Sequence, residues 1–348
     1  MPVFDDIIRE GEGARDHNER AFAYLNRSAR SEGGRVRELV ERWFARYPAA
    51  HRDRLISRFR PAIDDSHVSA FFELFLHELI LVRGHTVLAI EPSMPGTKTS
   101  PDFLIQSREG HRFYLEAVLA TGRSREEAGA EARLNDLLTA IDDVGSPRHF
   151  LDLHMRGMPA KQVSTKAMKR RLKKWVEGLP DGDAAKEVAP FVFEEAGVRI
   201  ILTAWPRRNP EAGGGAIGVQ HFPFRDMVPH TGIRAALSSK AGHYGEPDYP
   251  LVLAINSLQR FRHESAVLDA LLDTSRVTIH TGQAGNSISN ERAPDGVWVR
   301  RHGPNNRRLS AVLSTAGVNP WHFGLRASRP YPKSLAKEEA AYCLARGG

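Results

Sequence analysis

Ser100-Pro101-Asp102-Phe103-Leu104-Ile105-Gln106-Ser107-Arg108-Glu109-Gly110-His111-Arg112-Phe113-Tyr114-Leu115-Glu116-Ala117-Val118 is the stretch that decides the fold. Two apolar runs, Phe103-Leu104-Ile105 and Phe113-Tyr114-Leu115, flank a polar turn ending in Gly110, the pattern of a β-hairpin. Asp102 opens the first run and Glu116 closes the second. A hairpin brings these two carboxylates to the same end of a sheet, close enough to share a hard divalent cation. Mg²⁺ (or Mn²⁺) suits that geometry, because Mg²⁺ takes one or two carboxylates and keeps waters for chemistry.

Upstream, residues 18–60 read as helical. Val36, Leu39, Val40, Trp43 and Phe44 recur at helix spacing, Tyr47-Pro48 is a stop, and a second helix is predicted over 50–59. The arginines here, among them Arg46, Arg52, Arg54, Arg58 and Arg60, read as a solvated helical face. Asp64-Asp65-Ser66 is an N-cap cluster for a helix over 67–83, with Gly84 at its end. That helix is apolar nearly all round, so it is expected to be buried. Glu73 lies on it, and a buried carboxylate is costly unless an arginine pairs with it or a metal holds it. Glu73, Asp102 and Glu116 together make one candidate acidic cluster, whose like charges repel unless a cation neutralises them.

Thr86–Ile90 reads as a strand, 124–142 as a helix and 148–153 as a strand. The order α-β-β-β-α-β over 66–153 implies an α/β layer architecture. Further on, 166–176 reads as a basic helix, 198–204 and 251–255 as strands, and 231–242 as a helix. Residues 209–215 read as a glycine-rich loop, and 281–310 as polar and irregular, with strands at 297–299 and 309–313. The expected organisation is a helical region over 1–62, a core over 63–160, and a basic helix with an α+β portion over 161–348.

The segment resembles the PD-(D/E)xK, restriction-endonuclease-like nuclease superfamily. The likeness rests on Glu73 ahead of Gly84, on Pro101-Asp102, on Glu116-Ala117-Val118 and on the element order. It covers about 90 of the 348 residues. The resemblance implies a restriction-endonuclease-like core, Asp102 and Glu116 as metal ligands with the Ala117 carbonyl beside them, and Glu73 holding a second metal or its waters. It implies a Mg²⁺-dependent nuclease acting on DNA more readily than RNA. Where the superfamily carries a lysine that positions and activates water, this chain has Val118. A basic residue from elsewhere then has to replace it: Lys98 just before the hairpin, Arg133 on the following helix, or the remote Lys240. Otherwise the protein is a nuclease-fold binder of nucleic acid or of a protein partner.

The totals agree with a soluble globular protein. Hydrophobic residues make up 41% and charged residues 26%, and no apolar run is long enough to span a bilayer. One cysteine, Cys343, excludes an internal disulfide and a multi-cysteine zinc site. With an acidic N-terminus unlike a signal peptide, the expectation is a cytoplasmic protein. The net charge of +7 favours a polyanionic partner. Lys166, Lys169, Arg170, Lys173 and Lys174 share a broad helical face fit for phosphate contacts. A second basic turn lies at Arg300-Arg301 and Arg307-Arg308. His77-Glu78 lacks the second histidine of a zinc-protease motif, Leu81 standing in its place.

Overall fold

The computed structural model describes residues 1–60, 63–122, 124–208, 216–221, 229–258, 264–272, 274–282, 285–326 and 342–345. Along the chain run α1 (Ala21–Arg27), α2 (Ser31–Arg46), α3 (Arg52–Phe59), α4 (Asp64–Val82), β1 (Thr86–Ile90), β2 (Phe103–Gln106) and β3 (Arg112–Ala120). Next come α5 (Arg125–Val144), β4 (His149–Gly157), α6 (Thr165–Glu177), β5 (Phe191–Glu195), β6 (Val198–Pro206) and β7 (Ile217–His221). The last stretch holds α7 (Pro229–Ala241), β8 (Leu251–Ser257), α8 (Glu264–Leu271), β9 (Thr274–Gly282), β10 (Gly285–Ala293), β11 (Val299–Arg300), β12 (Gly303–Pro304), β13 (Leu309–Ala316), α9 (Pro320–Arg326) and β14 (Tyr342–Ala345). The protein is a mixed α/β chain of two compact units. One comprises Met1–Glu12, Arg20–Gly122 and Met227–Gly348; the other comprises Gly13–Glu19 and Arg123–Asp226.

The first unit is built on a six-stranded sheet in the order β1-β2-β3-β8-β13-β14. The quoted stretch forms its hairpin, with Phe103 opposite Leu115 and Gln106 opposite Arg112. Gly110 takes φ +89° in the turn, a conformation that costs any residue with a Cβ. Strand β3 then pairs in parallel with β8, and β8 in parallel with β13. Side chains alternate across β3, so its two faces build two cores. Phe113, Leu115 and Ala117 join the core of α4, with Phe71, Phe72, Leu74 and Leu76. Tyr114, Val118 and Ala120 join the core of α7, with Ile233, Leu237 and Ala241. Helices thus cover both faces, and β8, apolar from Leu251 to Ile255, is buried along nearly its whole length.

The second unit carries a four-stranded sheet in the order β5-β6-β4-β7. Its apolar face, with Leu151, Leu153, Ile200 and Leu202, is packed by Leu134, Leu137 and Ile141 of α5 and Met168 and Leu172 of α6. Ser124 and Glu127 close a capping box at the start of α5.

Several expectations change here. The helix over 124–142 and the strand over 148–153 both form, as α5 and β4, but they belong to the second unit. β4 pairs with β6 and β7, and the place beside β3 is taken by β8. The order α-β-β-β-α-β is completed in the first sheet by α7 and β8, with Arg123–Asp226 intervening. The boundaries expected at 62 and 160 are therefore not those of the compact units. Asp64 and Asp65 lie in the first turn of α4 rather than capping it, and Asp64 Oδ1 accepts the Ala21 N–H at 2.8 Å. Within the expected irregular region, β10 pairs with the preceding β9 as a two-stranded ribbon, and the basic turn at Arg300-Arg301 joins β11 to β12. The glycine-rich 209–215 loop lies outside the described residues. Among the described residues, no helix is long and apolar enough to cross a membrane.

Gly157 closes β4 with φ +74°, and a Cβ there would lie 2.1 Å from the Gly197 carbonyl oxygen. Gly157→Ala is expected to destabilise the protein by about 2 kcal/mol or more, because backbone has to move. Gly13→Ala, where a Cβ meets nothing within 4 Å, is expected to be near neutral. Urea unfolding of both variants checks this, and equal midpoints would refute the contact.

Candidate functional site

The site grows from the hairpin register. Asp102 and Glu116 stand one position beyond the Phe103–Leu115 pair. The Ala117 N–H donates to Asp102 Oδ2 at 2.7 Å, and the Asp102 N–H donates to Glu116 Oε2 at 3.1 Å. Backbone donors at the sheet end therefore fix both carboxylates. Glu116 is buried, on the same β3 face as Val118.

Helix α7 packs on that face and delivers a cation. Lys240, in its last turn, donates from Nζ to Glu116 Oε1 at 2.6 Å. Its side chain keeps 38% exposure, so the ammonium borders solvent while the carboxylate does not. Tyr244 is buried beyond the helix end, close enough to feel the Glu116 charge. Burial, then the Glu116 charge, push its phenol far above the ordinary tyrosine range.

Glu73 arrives from α4 and is buried. The Tyr47 hydroxyl, just past α2, donates to Glu73 Oε1 at 2.6 Å, and Arg58 of α3 pairs with Oε2. Both oxygens are engaged by protein groups. Asp102 feels both other acids: burial first, then Glu116, then Glu73 raise its carboxyl well above the usual carboxylate range. The Ala117 N–H and Arg58 pull the other way without cancelling that rise.

Among the described residues, no group of three or more His, Cys, Asp or Glu side chains is arranged to hold a metal ion. The two-carboxylate pair is a different matter. The Asp102 N–H joins it to Glu116, and burial followed by the Glu116 charge raises the Asp102 carboxyl, a charge cost that a divalent cation would relieve. Their oxygen donors suit Mg²⁺, which needs only one or two carboxylates.

No protein-family model, curated protein or solved structure matches the chain. The geometry alone therefore carries the reading.

The other candidates from the sequence fall elsewhere. Lys98 is exposed, and none of the described hydrogen bonds or ion pairs joins it to the acids. The Thr99 hydroxyl beside it donates to the His243 carbonyl at 2.8 Å. Arg133 belongs to the second unit, where its Nε donates to the Pro159 carbonyl at 2.8 Å. On α6, Lys166, Arg170, Lys173 and Lys174 are exposed, while Lys169 is half-buried and pairs with Asp143 at 2.5 Å. Arg171 instead donates to the Val192 carbonyl and lies over Phe191. The supposed solvated face of the N-terminal helices is largely spent on ion pairs: Arg58 with Glu73, Arg46 with Glu78 and Arg54 with Glu91. Tyr47, Arg58 and Tyr244 were not singled out as site residues. The one signal for the last is its spacing of four from Lys240, which carries one helical face past the end of α7.

His77, one turn after Glu73, is buried with its ring 4.9 Å from that of Tyr47. Burial, then Arg46, lower its pKa to about 4. The folded protein thus binds this proton less readily than the unfolded chain. The stability contributed by neutral His77 is complete above about 6.5 and is lost as pH falls toward about 4. Across that window, the urea midpoint of the wild type is expected to fall more steeply than that of His77→Gln. Parallel profiles would refute it.

Proposed function

We propose that the protein is a metal-dependent nuclease hydrolysing phosphodiester bonds, with DNA as the favoured substrate. In this reading α4, β1, β2, β3, α7 and β8 form a restriction-endonuclease-like core interrupted by the second unit. Strand order and the parallel β3–β8 pair support it. The observation that carries the proposal is Lys240 Nζ at 2.6 Å from Glu116, on the β3 face where Val118 replaces the superfamily's lysine. A lysine from α7 thus stands by the acidic pair although the strand supplies none.

Asp102 and Glu116 would hold Mg²⁺ or Mn²⁺. When bound, that ion supplies a hydroxide at neutral pH and Lewis-acid stabilisation of phosphoryl oxygens. Lys240 sets a partly exposed positive charge beside the acids, where charge builds on a phosphodiester during attack. Lys240 and the Asp102 N–H hold Glu116 in place. Tyr47 and Arg58 engage both Glu73 oxygens, and no three-acid metal group is arranged among the described residues, so Glu73 would act on Asp102 through its field. The exposed cations of α6 would hold phosphates without reading sequence.

A second reading, a nuclease-fold protein that binds nucleic acid without cutting it, draws on the same ion pairs. Lys240 with Glu116 and Arg58 with Glu73 neutralise part of the acidic cluster internally.

Cleavage of plasmid and single-stranded DNA with Mg²⁺ or Mn²⁺ separates the two. Asp102→Ala is expected to abolish cleavage, and Lys240→Met to slow it by about 10²–10³-fold, as for loss of a transition-state donor. Equal activity of wild type and Asp102→Ala would sink the site assignment. Salt-sensitive binding without cleavage would favour the second reading. Mn²⁺ titration by electron paramagnetic resonance is expected to find one site, lost in Asp102→Ala.

A further inference from the structure

Among the described residues, the helices of the second unit pack on one face of its sheet, and the other face carries exposed side chains. Along β4 the inward Leu151, Leu153 and Met155 alternate with Phe150, Asp152, His154 and Arg156, and β6 alternates likewise. Register places Phe150 opposite Trp205, Asp152 opposite Thr203, His154 opposite Ile201, and Arg156 opposite Arg199. Helices α5 and α6 pack on the other face. Phe150 is 41% exposed and Trp205 50% exposed. Two large exposed rings side by side on a sheet face form a stacking platform.

The surroundings say what that is. The Arg207 guanidinium lies 4.1 Å from the Phe150 ring centroid, held by the Ser146 and His149 carbonyls at 3.1 Å. The Lys186 ammonium lies 5.0 Å from the Trp205 ring centroid. Each ring therefore already carries a cation. At the far end of the same face, six residues or about 20 Å along β4, stand the exposed Arg156 and Arg199. The acids on this face are partly answered by their own neighbours, Asp152 by His154 at 3.2 Å and Glu194 by Arg199 at 3.6 Å. Rings backed by cations at one end, with arginines in line beyond them, match a single strand of nucleic acid. Bases have π-faces for the rings, and the backbone carries charge for the cations.

We propose that this face binds single-stranded nucleic acid, with bases stacked on Phe150 and Trp205 and the phosphates running toward Arg156 and Arg199. The platform does not depend on the acidic site of the first unit. Recognition by stacking is sequence-tolerant, so the expected preference is for strandedness rather than base order.

Fluorescence anisotropy of labelled oligothymidylate with the full chain, in EDTA to exclude cleavage, tests this. The double variant Phe150→Ala/Trp205→Ala is expected to bind about tenfold or more weakly, with Trp205→Phe close to wild type. Arg156→Ala/Arg199→Ala is expected to flatten the salt dependence. Urea midpoints matching wild type would establish that the variants fold. Oligothymidylate binding within about twofold of wild type in the folded ring variant would overturn the proposal, including the case where the face holds a protein. So would a wild type that prefers duplex to single strand. Asp102→Ala is expected to bind like wild type, so loss of cleavage there and loss of binding here are separate results.

Discussion

Two carboxylates one step beyond the same strand pair repel each other, and much of the polar architecture of the first unit answers that repulsion. The hairpin register forces Asp102 and Glu116 together, and peptide N–H groups at the sheet end each take one oxygen. What the backbone leaves uncompensated, Lys240 takes up from the α7 side. A buried carboxylate stripped of its partner costs several kcal/mol, so the seating of α7 on β3 and the ion pair at Glu116 are one problem. Val118 fits the same logic. With a cation arriving from above, its position is free to join the apolar core under α7.

The N-terminal helices do the equivalent work on the other acid. Glu73 is surrounded by aromatic and aliphatic side chains on α4, and its charge is tolerable because Tyr47 and Arg58 reach it from α2's end and α3. A helical region whose arginines read as a solvated face thus supplies two of the groups that hold Glu73. The result is an acidic pair flanked by fixed positive charge, in which a bound cation would meet two carboxylates rather than three.

The interrupted sheet explains where local reading and tertiary structure diverge. Periodicity located α4, the hairpin, α5, β4, α6, α7 and β8 close to their observed spans, since each carries its own pattern of burial. It did not say which strands share a sheet. A signal was present: residues 151–156 alternate apolar and polar, as a strand with one covered face does, whereas Leu251-Val252-Leu253-Ala254-Ile255 is apolar throughout, as a strand covered on both faces is. That contrast marks β8, not β4, as the central parallel partner of β3. The Phe150 and Trp205 face is the other side of the same alternation.

By itself the sequence determined the elements and the acidic pair, because hairpin register depends on residues close in the chain and a one-residue slip would turn every side chain to the wrong face. Tertiary structure alone decided which cation meets Glu116. Lys240 lies 124 residues away, beyond an entire second unit, and nothing in the spacing of a lone lysine on an amphipathic helix distinguishes it from Lys98. Pairing across such a distance is set by the packing of α7 on β3, which appears only when the sheet closes with β8.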